Sequence, residues 1–521
     1  MPIRPVDHGV ISASGAGAAT GYVLIYGDPD NASADNAETY PYSFSLNGTS
    51  MTVGGRYHAS TSTSKRHASG ILDLSGGVTT PPTSVTGQAS FAWAITGTTV
   101  QWSPYSEGPN NTFVDSSGNR YVTAAEYDAS YHYYNVGVVK MDSSQSVDWN
   151  KAYKNFFNNN SGLGNAPGVM KTPTNDRVVT CYEQWRYTGS PSSAKSAVQL
   201  LELNDSTGAT TGSACSFMSR ETYTTDQNTG TPVISDPVGD KFAMCVGKWA
   251  NGDTKVETML LEATGSGLDS LYTVGSANLV NNTNTSINIQ SCCIDASDNV
   301  YIVGNFNAVS VDSSVTPNNV FIAKWTLSGT TPSLAWRYCI RQGNDSISAG
   351  GIDLDGTDLY ISGYSPRVGG SNASPFIAKI DVSGTPSLTW IRQAASDTYN
   401  CYSRSVKVVG SQVVSLGYGQ TDPTGNVIGV MPVMNTDGTT LGTGVVDGIG
   451  WTVSDLSSVS GFIFSNAQSG NTANVDLSAD SSQSQWDNGD ETNTGTVNAW
   501  IHDTPSTAGL GTMLVESGTI G

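Results

Sequence analysis

Charge is scarce in this chain, and one sign of it runs out altogether. Only 13% of the 521 residues are Asp, Glu, Lys or Arg, and after Lys407 there are 11 acids and no Lys or Arg. The excess of 44 acids over 24 bases leaves a formal charge of −20. Such a surface repels nucleic acid and anionic membranes, so neither is expected as a partner. No apolar run approaches the length needed to span a bilayer, which argues against membrane insertion by a helix. The opening Met1-Pro-Ile-Arg-Pro-Val-Asp-His8 lacks a basic-then-apolar leader, and the expectation is synthesis in a cytoplasm without signal-peptide export.

Catalytic and metal-binding signatures are missing too. Seven cysteines are an odd number, none in a C-x-x-C pair, and most lie in strand-like runs (Cys181, Cys245, Cys292, Cys293) where a buried free thiol is the default. The histidines His8, His58, His67, His132 and His502 are scattered, and no G-x-S-x-G elbow, phosphate loop or H-E-x-x-H occurs. The Asp box of propeller glycosidases, Ser-x-Asp-x-Gly-x-x-Trp, is also absent. Glycoside hydrolysis needs two facing carboxylates, so Asp353, Asp355 and Asp358, and the pair Asp295 and Asp298, are the acids to weigh. Equivalent places elsewhere hold Asp115, Lys171 and Ser235, which reads them as turn residues rather than acid–base pairs or calcium ligands. The acidic loops Asp28–Asp35 and Asp487–Glu491 are weaker candidates of the same kind. Tyr127, Tyr131, Tyr133 and Tyr134 crowd one loop, where packing is a simpler role than sugar stacking. No catalytic, cofactor-binding or metal-binding residue is assigned, and the sequence predicts a protein without enzymatic activity or cofactor.

What is present in abundance is turn and strand chemistry: 57 Gly, many Ser, Thr and Asn, 23 Tyr and 11 Trp. The chain also repeats itself. Phe321-Ile-Ala-Lys-Trp-Thr-Leu-Ser-Gly-Thr-Thr-Pro-Ser-Leu-Ala-Trp336 returns almost unchanged as Phe376-Ile-Ala-Lys-Ile-Asp-Val-Ser-Gly-Thr-Pro-Ser-Leu-Thr-Trp390. Looser copies place their fourth residue at Lys140, Glu202, Glu262 and Pro432, besides Lys324 and Lys379. A second marker precedes each by one loop: a short apolar strand ending near a small residue, as in Val300-Tyr-Ile-Val-Gly304, Leu359-Tyr-Ile-Ser-Gly363 and Val413-Val-Ser-Leu-Gly417. Asp-, Asn- and Gly-rich turns come before it, and a strand often carrying Trp149, Trp336 or Trp390 follows. Four antiparallel strands in roughly 55–60 residues, without helices between units, is the pattern of a propeller blade. The fold expected is all-β: a β-propeller of about six four-stranded blades, a seventh being allowed, with β-rich N- and C-terminal extensions.

The extensions lack the repeat. Residues 1–90 read as an N-terminal β-rich docking module, 91–450 as the propeller and 451–521 as an acidic docking tail. In the tail Trp451, Phe462, Phe464, Trp486, Trp500 and Ile501 need cover from the propeller's flank or from another chain.

The phrase Phe321-Ile-Ala-Lys, with its Ser-Gly turn and Trp336, and Asp298-Asn-Val-Tyr-Ile-Val-Gly304 resemble propeller repeats of bacterial surface proteins and of tailed-phage virion proteins, marine phages especially. The resemblance covers about 105–445 and is close in the fourth and fifth units. It implies a scaffold, and with it a non-enzymatic virion structural protein, a phage tail component for assembly or host attachment. Partners would be other tail proteins in a homo-oligomer or symmetric assembly, with a host-surface glycan as a further ligand, and the location the virion. The alternative is a secreted or surface bacterial propeller that binds or cleaves glycans. A cytoplasmic protein-interaction propeller would need the WD signature, which is missing.

Overall fold

A computed structural model describes residues 20–27, 38–58, 66–91, 93–94, 112–128, 133–153, 161–163, 168–186, 195–209, 211, 216–219, 228–229, 232–250, 253–264, 267–280, 287–307, 318–328, 331–343, 345–421, 427–446, 448–466, 476–480, 486–489, 501–502 and 514–520. Apart from a 3-10 turn at Leu456–Ser458, their regular structure is β-strand. The strands form a β-propeller of seven blades.

Blade one is the simplest, four antiparallel strands from Thr112–Val114 at the axis to Val147–Tyr153 outside. Blades two to five start from inner strands Gly168–Lys171, Val233–Ile234, Ile287–Ile294 and Ser348–Asp355. Blade six takes its first three strands from Tyr399–Val409, Gln412–Thr421 and Val427–Asn435. Its fourth comes from the far end of the chain, Gly21–Gly27, laid antiparallel on Val427–Asn435. Blade seven is entirely N-terminal: Glu38–Asn47, Ser50–His58, Arg66–Asp73 and Thr86–Phe91. Its inner strand lies between those of blades six and one, so the seven inner strands contact one another in an unbroken circuit. The count at the upper end of the expected range is therefore the right one, and the expected N-terminal module, 1–90, supplies a blade and part of another.

Every repeat marker falls where blade logic puts it. Lys140, Glu202, Glu262, Lys324, Lys379 and Pro432 all lie in third strands. In three blades the lysine faces a second-strand tyrosine and a fourth-strand tryptophan across the sheet: Tyr121–Lys140–Trp149, Tyr301–Lys324–Trp336 and Tyr360–Lys379–Trp390. The ammonium sits 5.0–5.9 Å from the tyrosine centroid in each, within cation–π range. Trp149 and Trp390 then reach the next blade, donating to the carbonyls of Asp205 and Thr436 at 2.7 and 3.1 Å.

Apolar clusters fill the six seams from blade one round to blade seven, which explains second and third strands buried on both faces. Among the described residues, polar contacts join the seventh seam, between blades seven and one. There Ser45 Oγ accepts the Val114 N–H at 2.9 Å, and the buried Arg120 guanidinium reaches Ser69 Oγ at 3.5 Å.

The C-terminal residues form a belt. After Ile449–Asp455 extends blade five, Phe462–Asn466, Asp476–Asp480 and Trp486–Gly489 become the outermost strands of blades four, three and two. The pair Ile501–His502 then meets Trp93–Ala94 beside blade seven, and Leu514–Ile520 covers the N-terminal strand of blade six. The belt runs against the order in which the blades are made. The tail expected to dock on the propeller or on another chain thus has its described strands on the propeller's own rim, and its boundary at 451 cuts through a blade-five strand. Trp500 lies outside the described residues.

Candidate functional site

The site is built by a repeated irregularity. The first strands of blades four, five, six and seven each carry a one-residue register shift, at Ile289/Ser291, Ala349/Gly351, Ser403/Ser405 and Pro41/Ser43. A bulge re-aims the extra side chain and leaves a carbonyl pressed on the neighbouring strand. The neighbour answers with glycine: a Cβ on Gly363 would collide with the Ser348 carbonyl oxygen, and one on Gly417 with that of Tyr402. Gly304 and Gly55 meet the same constraint opposite Asn288 and Tyr40. The small residue closing the second sequence marker is therefore required by the bulge facing it.

Two bulged side chains, Gln290 and Arg404, open into one cleft on the face that carries the loops between blades. Its volume is about 280 Å³, and Asn288, Asn305, Asn318, Ser348, Ala349 and Tyr364 complete its lining. Between the bulges stands Gly350, with no room for a side chain against the Ser403 carbonyl. Asn305 Oδ1 accepts the Ala349 N–H at 2.7 Å, which ties blade four to blade five and leaves the amide nitrogen uncommitted. Among the described residues, the side chains of Asn288, Gln290, Asn318 and Tyr364 have no hydrogen-bond partner in the protein.

An aromatic row leads away from Tyr364 across blades six and seven. Ring centroids are 4.9 Å apart for Tyr364–Tyr402, 5.0 Å for Tyr402–Tyr418 and 5.2 Å for Tyr418–Tyr40. All four rings are partly exposed. Arg404 lies over Tyr418, its Cζ 5.4 Å from the centroid, and Nη2 donates to the Tyr418 hydroxyl at 3.4 Å. Burial first, then the neighbouring phenols, push the Tyr402 hydroxyl upward while Arg404 pulls the other way. Tyr402 consequently stays a neutral donor at ordinary pH.

The acids weighed from the sequence lie on the opposite face and do not converge as a pair. Asp115 and Asp295 are turn residues, as expected: each accepts the backbone N–H and side-chain amide of the Asn four residues on, at 2.7–2.9 Å. Asp298 meets Lys241 of blade three at 2.6 Å, Asp358 meets Lys379 at 2.8 Å, and Asp355 is exposed. Lys171 joins Asp115 to Asp205 at 3.2 and 3.3 Å, and Ser235 Oγ accepts the Ala243 N–H. Asp353 departs from the turn reading. It accepts the Val408 N–H at 2.8 Å and Lys407 Nζ at 3.4 Å, while Lys407 also pairs with Asp236 from the far side of the axis. Among the described residues no three potential ligands gather as for a metal.

Tyr127, Tyr133 and Tyr134 lie on facing strand ends of blade one, and His58, His67 and His502 in paired strands. Tyr131, His132, His8 and the loop Asp28–Asp35 lie outside the described residues, as does the end of Asp487–Glu491. The cleft residues themselves escaped sequence reading because each sits at an ordinary repeat position. A usable signal was the cluster Tyr399-Asn-Cys-Tyr-Ser-Arg404, whose mix of polar residues and tyrosines only the first strand of blade seven, Glu38–Asn47, shares among the described first strands.

No known family profile matches the chain, and no curated protein matches it either. Solved structures similar to it are β-propellers in which the likeness is one of fold. The polysaccharide lyase Uly1 is 8% identical, covering 80% of this chain and 100% of its own, with a TM-score of 0.44. A PL25 ulvan lyase is 11% identical over 76% of this chain and 96% of its own, at 0.47. The GH93 alpha-L-arabinofuranosidase of Fusarium graminearum is 10% identical over 80% and 98%, at 0.38. These findings correct two expectations, that of a non-enzymatic virion component and that of a protein without activity: these three structures are two polysaccharide lyases and an arabinofuranosidase.

Proposed function

We propose that this protein acts on glycans, holding a sugar residue in the cleft between blades four, five and six. The carrying observation is a set of groups that line one cavity and, among the described residues, have no protein partner: the side-chain amides of Asn288, Gln290 and Asn318, the amide nitrogen of Asn305 and the phenol of Tyr364. Water-facing amides are ordinary; several converging on a concavity beside an aromatic row are the recognition chemistry of a polyhydroxylated ring. Amides donate and accept to adjacent hydroxyls, and the row from Tyr364 to Tyr40 offers apolar faces to further sugar units along a chain. The volume suits one ring in the cleft, with the remainder of a polymer lying across blades six and seven.

The test is retention and turnover on a panel of soluble polysaccharides, read by affinity electrophoresis and by release of reducing ends or unsaturated products. Tyr364→Ala and Asn305→Ala should each weaken retention on the responding polysaccharide at least fivefold while thermal unfolding stays cooperative. A panel that gives neither retention nor product with the full chain removes the reading.

A further inference from the structure

We infer that the sugar this cleft receives is anionic, its carboxylate or sulfate group read by Arg404. The inference rests on the proposed glycan function and adds the substrate class. Acids outnumber bases 44 to 24 in this chain, so an arginine seldom lacks a carboxylate for want of candidates. Arg367 and Arg392 illustrate the usual outcome, pairing with Asp397 and Asp455 at 2.6 and 3.1 Å. Arg404 has no ion-pair partner among the described residues, and no Asp or Glu lines the cavity it faces. Its Nε is shut away from water and unbonded, a donor left unsatisfied beside the cleft. What holds the guanidinium is a phenol: one long hydrogen bond to Tyr418 and the ring beneath it.

Geometry explains why this arginine points inward. Arg404 is the extra residue of the blade-six bulge, in the place that Gln290 occupies in blade four and Gly350 in blade five. One repeat position thus supplies a neutral amide, an empty space and a cation around the cavity. A planar guanidinium backed by an aromatic face presents its N–H fork to a planar or tetrahedral oxyanion, and the amides take the hydroxyls beside it. The cation is a local exception in a protein of net charge −20, which works against loose accumulation of polyanions and leaves recognition to the short-range contact.

The experiment compares retention of the full-length protein at ~0.15 M salt on polygalacturonate, dextran sulfate and neutral dextran. Arg404→Met and Arg404→Lys are run alongside, with thermal unfolding as the folding check. An acidic polymer should retain the protein and dextran should not; Arg404→Met should lose at least tenfold in affinity and Arg404→Lys less, since it keeps the charge without the fork. Retention on polygalacturonate alone assigns a carboxylate, and on dextran sulfate alone a sulfate ester. Equal retention on dextran, unchanged by Arg404→Met, overturns the anionic inference and leaves the glycan reading standing. If a wider neutral and acidic panel retains nothing, both fall together. An acidic polymer held equally by wild type and Arg404→Met would place the anion elsewhere and also overturn the inference.

Discussion

Gly417 stands opposite the bulge that carries Arg404, and the two residues depend on each other. Any Cβ at 417 meets the Tyr402 carbonyl oxygen, which belongs to backbone and cannot rotate aside. Gly417→Ala is expected to cost about 2–4 kcal/mol in urea unfolding, as overpacking against a rigid neighbour does. It should also weaken glycan retention, because the strand pair must slip or spread and the bulge goes with it. Gly384→Ala, in open space, is the control and should fall within about 0.5 kcal/mol of wild type. Were Gly417→Ala as stable as that control, the bulge would not need its glycine. At this scale the sequence was legible in outline: a small residue closing the second strand was visible in several repeats. Its cause was not visible, because the clash comes from a carbonyl some 15 residues earlier in the chain, and a carbonyl has no sequence signature. Arg404 was hidden for a related reason, since alternation along a strand does not reveal where a bulge inserts one extra residue.

Among elements, the third strands were the easiest to read. In blades one to six each pairs on both edges and packs on both faces, so its apolar run recurs, with lysine or glutamate at the marked position in five and Pro432 in the sixth. Blade seven escaped because its third strand, Arg66–Asp73, reads Arg-His-Ala-Ser-Gly-Ile-Leu-Asp and lacks that run. Its second strand does hold the other marker, Met51-Thr-Val-Gly-Gly55, with the bulge-facing glycine in place. The belt strands carry no marker at all. They pair along one edge on the rim, and in Phe462–Asn466 no side chain is fully buried. In Leu514–Ile520, Val515 and Ile520 are buried, and the strand clamps Gly21–Gly27 against blade six. A chain ending at residue 512 should lose about 3–6 kcal/mol, from two buried aliphatic side chains at ~1.5–3 kcal/mol each. Hydrogen exchange should rise in 21–27 and 442–446 and leave the inner strands of blades two to four protected. Uniform loss of protection around the ring would instead mean that the belt's end governs the whole fold.

The whole ring is tied across its axis as well as around its circumference. Lys407 of blade six extends between Asp353 of neighbouring blade five and Asp236 of blade three, which stands opposite. Sequence could not show this, because the three residues are joined only by the closure of seven blades, and Asp353 looked like one more turn acid. Water in the channel still reaches about a fifth of the Lys407 and Asp353 side chains, at 18% and 19%, and half of Asp236, at 54%. Burial nevertheless dominates at Asp353 and raises its carboxyl above the ordinary range, against the pull of Lys407. Burial alone would depress Lys407, but Asp236 and Asp353 outweigh it and hold the ammonium above its usual value. Folding linkage then has two signs. Lys407 contributes stability that is complete below its unfolded value of about 10.4 and is lost only as pH climbs past it. Asp353 contributes a penalty that appears as pH rises from its unfolded value of about 3.9 toward its raised folded one. Lys407→Met leaves two carboxylates facing each other without a cation, which should cost about 2–4 kcal/mol at pH 7. The deficit should shrink as pH falls toward 4, because the raised carboxyl of Asp353 takes up its proton ahead of an ordinary carboxylate and removes one of the two facing charges. Urea unfolding of both proteins from pH 4 to pH 8 measures it. A deficit that stays constant over that range would assign the loss to the packing of the lysine stem rather than to its charge.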